Sequence, residues 1–312
     1  MNLDIPLVCP ACNAALPSSG QWRTESVKCS GCGADYANRD EVLRFVASDS
    51  YTSSFSYQWK QRTPQYFGAE ALAGTERSLR KLHITPELVN GRLVLDAGCG
   101  MGRFSEVLSR WGARCVAVDL SEAIDVAHAH FSARTNVLFV QADVTKLPFP
   151  PESFDVILSW GVLHHTASTE HAFKSVARYL KPGGTMGIFV YGKNKGLRRK
   201  MINTYRHLTR HLPKPLLYAL CTLAGPLHYV YKIPLIGHVL RELIPISRQS
   251  SARGRIIETF DTYAPYYAWE HTFPEVQRWF IESGMVDVRL YDPPVNATAR
   301  MLPAKSANVA KQ

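Results

Sequence analysis

The sequence predicts an α/β protein with a doubly wound, mostly parallel β-sheet, a small cysteine-rich segment before the sheet and a basic helical insertion near its end. Three observations support this prediction: short apolar runs that alternate with helical segments, a glycine-rich turn after one such run, and acidic residues that end the next ones. The chain has 312 residues, of which 46% are hydrophobic and 20% charged, so it has room for one full α/β domain with one or two appendages.

The charge of the chain is unevenly distributed. The net charge is +10, yet residues 193–259 hold 13 lysines and arginines against two glutamates, Glu242 and Glu258, and so carry +11 by themselves. The rest of the chain is close to neutral. A basic surface that meets a partner therefore belongs to this segment, and a solvated basic face without a partner is the alternative.

Four of the seven cysteines form two CxxC pairs, Cys9 with Cys12 and Cys29 with Cys32, separated by sixteen residues. Such pairs can offer four thiolates to one tetrahedral zinc ion, and a site filled by four cysteines is structural rather than catalytic. Disulfides or a redox CxxC are the alternatives. Because the N-terminus lacks the basic and apolar regions of a secretory signal, we expect a reducing compartment, in which thiols bind metal more readily than they pair.

A glycine-rich turn follows the apolar run that ends in Asp96. Glycines then occupy every second position, Gly98, Gly100 and Gly102. This pattern predicts a buried parallel strand that ends in a tight turn, whose backbone can approach a ligand. The dinucleotide-binding pattern GxGxxG would need its third glycine at position 103, where the chain has Arg103.

The resulting DxGxGxG motif resembles the first motif of class I S-adenosylmethionine (SAM) dependent methyltransferases. In that family the acid, here Asp96, lies near the methionine amino group, and the glycine turn passes beside the methionine moiety. The resemblance implies a Rossmann-like, doubly wound sheet of seven mostly parallel strands. Residues 7–46 likewise resemble the short zinc ribbons that precede some methyltransferase domains and those in small methyltransferase-activating proteins.

The next two predicted strands also end in acidic residues. Asp119 follows the second strand, where an acid can accept hydrogen bonds from both ribose hydroxyls of an adenosine, with Leu120 beside it. Asp143 follows the third strand and matches the family position that binds the adenine amino group, with Val144 next to it. The alternatives are a helix N-cap for Asp119 and a turn-stabilising role for Asp143.

An aromatic segment, YTSSFSYQWK, precedes the first strand of the predicted sheet. It resembles the helix that closes over SAM in many small-molecule methyltransferases. This resemblance implies that Tyr51 and Gln58 contact the cofactor and that Trp59 contacts the acceptor. Packing of the aromatic cluster on the sheet is the alternative.

The predicted fourth strand leads into Ser159, His164 and His165 at the edge where open α/β sheets bind ligands, which makes Ser159 a candidate cofactor contact. The segment LPFPPESFDVILSWGVLHH resembles the corresponding one in the ubiquinone-biosynthesis-like subgroup of small-molecule methyltransferases. The NPPY or DPPY motif of nucleic-acid amino-methyltransferases is absent from it. His164 or His165 is a candidate general base, because imidazole titrates near neutral pH; packing or helix capping is the alternative.

The basic insertion, residues 193–259, combines cations with apolar residues. Sixteen uncharged residues, 216–231, fall short of the roughly 20 that span a bilayer, and Gly225 and Pro226 interrupt them. The insertion suits a helical lid over a large acceptor, a surface that contacts a membrane, or a nucleic-acid surface. Arg198 and Arg199 are candidates to bind a phosphate or carboxylate of the acceptor.

The segment FDTYAPYYAWEHT resembles the D-x-x-x-P-x-Y…H-T stretch of a set of bacterial small-molecule and glycan-pathway methyltransferases. We identify Asp261 and His271 as the leading acid/base candidates, and Tyr263, Tyr266 and Tyr267 as residues that shape the acceptor pocket. The alternative is that these residues fasten the insertion to the core.

The sequence therefore predicts four segments: a zinc ribbon (1–47), a SAM-binding core (48–192), a basic helical insertion (193–259) and the C-terminal part of the core (260–312). The expected reaction is transfer of the SAM methyl group to a small-molecule, glycan or lipid-pathway acceptor, anionic or lipid-linked, most readily on oxygen. The rivals are an RNA methyltransferase that acts on a ring atom and a non-catalytic homologue that binds SAM or a partner protein. We expect a cytoplasmic protein, with membrane association open.

Overall fold

The computed structural model describes residues 3–22, 26–46, 67–131, 134–193, 195–291 and 295–303. Tyr51, Gln58 and Trp59 lie outside these ranges. The chain divides into two compact units. Among the described residues, the first unit comprises those before residue 193 and those from 269 onwards, and the second comprises those of 193–268.

The cysteine-rich segment at the start of the first unit consists of short strands. A two-stranded antiparallel sheet and a three-stranded antiparallel meander follow one another, with a 3-10 turn at Ser19–Gln21 between them. The strands are β1 (Leu7–Val8), β2 (Ala15–Leu16), β3 (Ser26–Lys28), β4 (Asp35–Arg39) and β5 (Val42–Arg44).

The rest of the first unit is organised around seven further strands. They are β6 (Leu93–Ala97), β7 (Arg114–Asp119), β8 (Val137–Gln141), β9 (Phe154–Trp160), β10 (Leu180–Phe189), β11 (Met285–Tyr291) and β12 (Asn296–Met301). Their order across the sheet is β11-β12-β10-β9-β6-β7-β8. The five strands from β6 to β10 are parallel to one another, whereas β12 is antiparallel to both β10 and β11. The predicted doubly wound, seven-stranded, mostly parallel sheet is thus confirmed.

The cysteine-rich segment extends this sheet. Strand β5 pairs in parallel with β8, with Leu43 opposite Val140 and Arg44 opposite Gln141, so that β5, β4 and β3 bring the sheet to ten strands. The sequence had predicted this segment as a separate ribbon.

Eleven helices are found in the described part of the chain. In the first unit they are α1 (Ala69–Lys81), α2 (Pro86–Val89), α3 (Arg103–Arg110), α4 (Ala123–His130), α5 (Thr169–Ala177) and α11 (Phe273–Glu282). In the second unit they are α6 (Leu197–Thr209), α7 (Lys214–Cys221), α8 (Ala224–Val230), α9 (Ile236–Leu243) and α10 (Ala252–Tyr263). Helix α10 runs through position 259, where the sequence predicted the insertion to end. The Thr272 hydroxyl accepts the Glu275 amide and thereby caps the start of α11.

Two details differ from what the sequence pattern predicts. The run KPGG at 181–184 predicts a turn before a strand, but these residues lie inside β10, where its register with β9 shifts and Gly183 adopts a φ of 77°. The apolar run 216–231 breaks between α7 and α8, not at Gly225 and Pro226, because proline is tolerated in the first turn of a helix. No described helix has both the length and the apolar character to cross a membrane.

Candidate functional site

The glycine turn lies at the carboxyl end of β6. Gly98, Gly100 and Gly102 have φ values of 88°, 55° and 85°, a region that side chains other than glycine rarely adopt. A Cβ atom on Gly98 would lie 2.2 Å from Cγ2 of Val162. Both the backbone conformation and the space around this turn therefore require glycine.

Asp96 lies on β6 immediately before the turn and is 1% exposed. Its Oδ2 atom accepts a hydrogen bond of 2.7 Å from the Ser105 hydroxyl on α3. Burial raises the pKa of Asp96 to about 7; the bond from Ser105 opposes this shift, and the charge of Asp119 adds to it. A positively charged ligand group at this position would stabilise the Asp96 carboxylate.

Asp119 ends β7 and joins it to the glycine turn. Its Oδ2 atom accepts the Gly100 amide at 2.7 Å, and its Oδ1 atom accepts the Ser121 amide at 2.8 Å and the Ser121 hydroxyl at 2.6 Å. Burial raises the pKa of Asp119. Helix α4 begins at Ala123, and its N-cap residue is Glu122. Asp119 therefore does not cap this helix.

Asp143 follows β8. Its Oδ1 atom accepts the amide and the hydroxyl of Thr145, both at 2.8 Å, so it stabilises a turn, as its alternative interpretation held. Val144 beside it is buried. Thr145 and Ser121 were not among the candidate residues, although a D-x-S/T pattern marks both positions. Asp96, Asp119 and Asp143 belong to the carboxyl ends of β6, β7 and β8, three neighbouring parallel strands.

Ser159, the candidate cofactor contact on β9, is fully buried. Its hydroxyl donates a hydrogen bond of 2.8 Å to the carbonyl oxygen of Ala97. This hydrogen bond connects the end of β9 to the residue before the glycine turn. In this structure the Ser159 hydroxyl thus stabilises the contact between two neighbouring strands.

His164 and His165 form a 3-10 turn after β9 together with Leu163. His164 has no exposed surface, and its ring centroid lies 3.8 Å from that of Tyr191. His165 is 8% exposed, with its ring centroid 4.2 Å from that of His164. Both histidines thus take part in aromatic packing.

His271 connects the segment after the second unit to the sheet. Its Nε2 atom lies 2.8 Å from the Thr169 hydroxyl, its amide donates to the carbonyl of Tyr191 at 2.8 Å, and its ring packs against Trp279. Trp269 adds hydrogen bonds from its amide and its indole to the backbone around His164 and His165. In this structure His271 is therefore held by contacts within the first unit.

Asp261 and the three candidate tyrosines belong to the second unit, whereas His271 belongs to the first. Tyr263 is buried in the core of the second unit, and its hydroxyl donates to the carbonyl of Pro245 at 2.6 Å. Tyr266 is 41% exposed, with the Arg210 guanidinium 4.7 Å from its ring centroid. Tyr267 is half-buried and packs against Tyr266. Tyr263 thus packs the second unit, and Tyr266 faces solvent.

Arg198 and Arg199 lie at the start of α6 and are half-buried. The Arg198 amide donates to the Glu242 carboxylate at 3.0 Å, and its guanidinium donates to the carbonyl of Ile246 at 3.3 Å. The Arg198 side chain also lines a cavity within the second unit.

The four N-terminal cysteines form one cluster, with all four sulfur atoms within 4.8 Å of one another. The Cys9 and Cys32 sulfurs, and those of Cys12 and Cys29, are 3.6 Å apart. A zinc ion with Zn–S bonds of about 2.3 Å separates its tetrahedral ligands by about 3.8 Å, so these sulfurs fit zinc and are too far apart for disulfides. All four cysteines are free in the structure.

The backbone supports this cluster with two matching turns. The Cys9 amide donates to the carbonyl of Ala14 at 2.8 Å, and the Cys29 amide donates to that of Ala34 at 2.7 Å. The Tyr36 hydroxyl lies 3.0 Å from the Cys9 sulfur. Burial would raise the pKa of Cys9, but hydrogen bonds from Tyr36 and from backbone amides outweigh it and lower this pKa to about 6. The cluster therefore favours a thiolate at Cys9, the form that binds metal.

Residues 95–188 match the family model for a methyltransferase domain. Among curated proteins, the chain is 27% identical over 212 residues to an uncharacterized chloroplastic methyltransferase of Arabidopsis thaliana, covering 56% of this chain and 59% of that protein. It is 34% identical over 108 residues to a ubiquinone biosynthesis O-methyltransferase of Coxiella burnetii, covering 34% of this chain and 46% of that protein.

A sterol 24-C-methyltransferase of Gibberella zeae is 35% identical over 105 residues, covering 32% of this chain and 27% of that protein. The chain thus spans between about a quarter and three fifths of the length of the curated relatives it matches.

Proposed function

We propose that this chain, which contains a domain of the class I SAM-dependent methyltransferase family, transfers the methyl group of SAM to a small-molecule, glycan or lipid-pathway acceptor. The observation that carries the proposal is the set of three acids, Asp96, Asp119 and Asp143, at the ends of adjacent parallel strands beside the glycine turn. Open α/β sheets bind their ligands at this edge.

The chemistry of these residues fits SAM. SAM carries positive charge on its sulfonium and on its amino group, and the buried Asp96 carboxyl has a raised pKa that a cation would lower again. Asp119 would accept hydrogen bonds from the ribose hydroxyls in addition to the Gly100 amide that it already holds. Asp143 would accept the adenine amino group through Oδ2, since the two bonds from Thr145 both go to Oδ1.

The reaction places few demands on the protein. SAM supplies a reactive methyl group, and the chain aligns the acceptor with it and excludes water. A base is needed only where the acceptor must lose a proton. The proton acceptors to test are His164 and His165, which both pack against Tyr191, and Asp261 and His271.

We propose oxygen as the methylated atom, supported by the similarity to the ubiquinone biosynthesis O-methyltransferase. Carbon is the second candidate, favoured by the similarity to the sterol 24-C-methyltransferase. A charge of +11 on residues 193–259 favours an anionic acceptor, and it also keeps RNA as a rival acceptor.

We also propose that the four-cysteine cluster binds one structural zinc ion. The sulfur separations and the low pKa of Cys9 support this assignment. The metal would stabilise the turns that carry the ligands, and hence strands β3 to β5 at the edge of the sheet. One equivalent of zinc in the purified protein, lost from the Cys29→Ser variant, is the expected result.

The experiment that tests the function uses SAM with a labelled methyl group, incubated with the purified chain and a size-fractionated cell extract. Label in the small-molecule or lipid fraction, absent with the Asp119→Ala variant, supports the proposal. Label in RNA would establish the rival reading, and SAM binding without transfer to any fraction would establish a non-catalytic homologue.

A further inference from the structure

Exposed apolar side chains are concentrated in the second unit. Fifteen large apolar residues of the described chain are strongly exposed, and thirteen of them lie within residues 193–268. Single exposed apolar residues are normal on the surface of a soluble protein, whereas a large apolar patch indicates a surface that binds a partner.

The segment from Tyr229 to Ile244 presents the densest part of this exposure. It includes Tyr229 (65% exposed), Ile233 (47%), Leu235 (85%), Ile236 (54%), Val239 (56%), Leu243 (38%) and Ile244 (41%). The spacing of Ile236, Val239 and Leu243 places these three residues on one side of α9. We call Tyr229 to Ile244 the apolar segment.

The backbone at Leu235 is unusual. Its φ is 60°, and the Ile236 amide donates to the Pro234 carbonyl at 2.7 Å, which closes a tight turn with a conformation that leucine rarely adopts. Such strained positions cluster at functional sites. Here the turn holds in solvent the most exposed large apolar side chain among the described residues of the second unit.

Cations surround a cavity that the same segment helps to form. The cavity, of about 210 Å³, is lined by four cations, Arg198, Lys232, Arg241 and Arg248, and by His228. The Lys232 ammonium lies 5.3 Å from the ring centroid of Tyr229. Burial, together with the charges of Arg255 and Lys232, lowers the pKa of His228, as expected in a region of positive potential. The nearby acid Glu242 binds the Arg198 amide.

We propose that the second unit docks on an anionic phospholipid surface, with the apolar segment in the interface and a lipid phosphate in the cationic cavity. Cations beside an exposed apolar segment match the two forces that hold a protein at such a surface: burial of apolar side chains and attraction to anionic headgroups. Lys232 belongs to both features, since it lines the cavity and lies within the apolar segment. The proposal concerns binding alone and does not depend on methyl transfer.

Sedimentation of the full chain with lipid vesicles tests the proposal. We expect binding to vesicles that contain phosphatidylglycerol and much weaker binding to phosphatidylcholine alone. The double variant Lys232→Glu/Arg248→Glu should lower the partition coefficient on anionic vesicles at least tenfold, since each cation near such a surface contributes about fivefold. Leu235→Ser/Ile236→Ser should lower it about tenfold, because two apolar side chains no longer insert.

Two matched controls come from the first unit. Arg77→Glu reverses an exposed charge on α1, and Ile281→Ser removes an apolar side chain that is 58% exposed on α11. Both should bind anionic vesicles like the original chain, and circular dichroism of all variants checks that they fold.

Three results would overturn the proposal. One is equal binding of the chain to neutral and anionic vesicles. Another is that the chain binds soluble inorganic phosphate in this cavity but does not bind vesicles. A dimer in solution that Leu235→Ser/Ile236→Ser dissociates would also overturn it, because a second copy would then cover the segment.

Discussion

Arg44, on the last strand of the cysteine-rich segment, donates a hydrogen bond of 2.8 Å to the side-chain oxygen of Gln141 at the end of β8. The same guanidinium forms an ion pair of 2.5 Å with Asp125 on α4. The side-chain amide of Gln141 in turn donates a hydrogen bond of 3.1 Å to the carbonyl oxygen of Leu120, the residue that follows Asp119. The cysteine-rich segment is thereby connected to the strand end that we propose binds the ribose of SAM.

Arg44→Ala should therefore weaken SAM binding. The substitution removes two side-chain contacts of a guanidinium that is 13% exposed, and it leaves Gln141 free to move away from Leu120. We expect the Kd for SAM to rise about threefold to tenfold, the effect of about one hydrogen bond, while the zinc content stays constant. Arg39→Ala, an exposed arginine on β4, is the control and should leave the Kd unchanged. An equal effect of both variants would contradict the connection.

Gly31→Ala should weaken zinc binding. A Cβ atom at this position would lie 2.9 Å from Cβ of Ala14 and 3.2 Å from the Cys12 sulfur, so the two CxxC turns would have to separate. We expect the zinc affinity, measured by competition with a chromophoric chelator, to fall at least tenfold, because the sulfurs could no longer meet at tetrahedral spacing. The double variant Gly31→Ala/Ala14→Gly restores the space and should recover most of the affinity. Unchanged affinity of the single variant would show that the turns are not packed as described.

The raised pKa of Asp96 predicts a pH dependence of stability. Its value of about 7 in the folded chain lies above the roughly 3.9 of an unfolded aspartate, so the folded state binds the additional proton between these values. The contribution of Asp96 to the free energy of unfolding therefore decreases as pH rises from about 4 to about 7. Asp96→Asn should abolish this decrease, as measured by denaturant unfolding across the same range.

The same group predicts a pH dependence of SAM affinity. A cationic ligand stabilises the Asp96 carboxylate, so binding releases the proton, and the Kd should fall by up to about tenfold from pH 6 to pH 7.5. Asp96→Asn keeps an acceptor for the Ser105 hydroxyl but has no proton to release, and its weaker binding should show no such slope. The same slope in the variant would assign the titration to another group.

The sequence predicts the site best where backbone geometry restricts the choice of residue. The glycine turn needs positive φ values, and the ends of β6, β7 and β8 follow from apolar runs that stop at or near an acid, so the pattern and the family resemblance together make Asp96, Asp119 and Asp143 candidates. The sequence also locates the parallel strands, because burial on both faces produces continuous apolar runs.

The pairing of strands from distant segments could not be predicted from the sequence. Strand β5 joins β8 through only two residue pairs, Leu43 with Val140 and Arg44 with Gln141, and no local pattern specifies such a contact. The roles of titratable residues were equally out of reach. His164 and His271 are of the residue type expected of a base, but their contacts with Tyr191 and the Thr169 hydroxyl come from distant parts of the chain, and no local pattern specifies them.

Equilibrium binding of SAM to the purified chain and to Asp119→Ala, measured by isothermal titration calorimetry, tests the central claim most directly. Asp119 holds the Gly100 amide and is proposed to hold the ribose, so its loss removes a ligand contact and loosens the glycine turn. We predict one equivalent of SAM bound to the original chain and a Kd at least about a hundredfold higher for Asp119→Ala, since hydrogen bonds to a charged group contribute about 1.5–3 kcal/mol each. The matched control Glu70→Ala, an exposed acid on α1, should bind like the original chain. Equal SAM affinity in Asp119→Ala and the original chain would contradict the claim that these strand-end acids form the cofactor site.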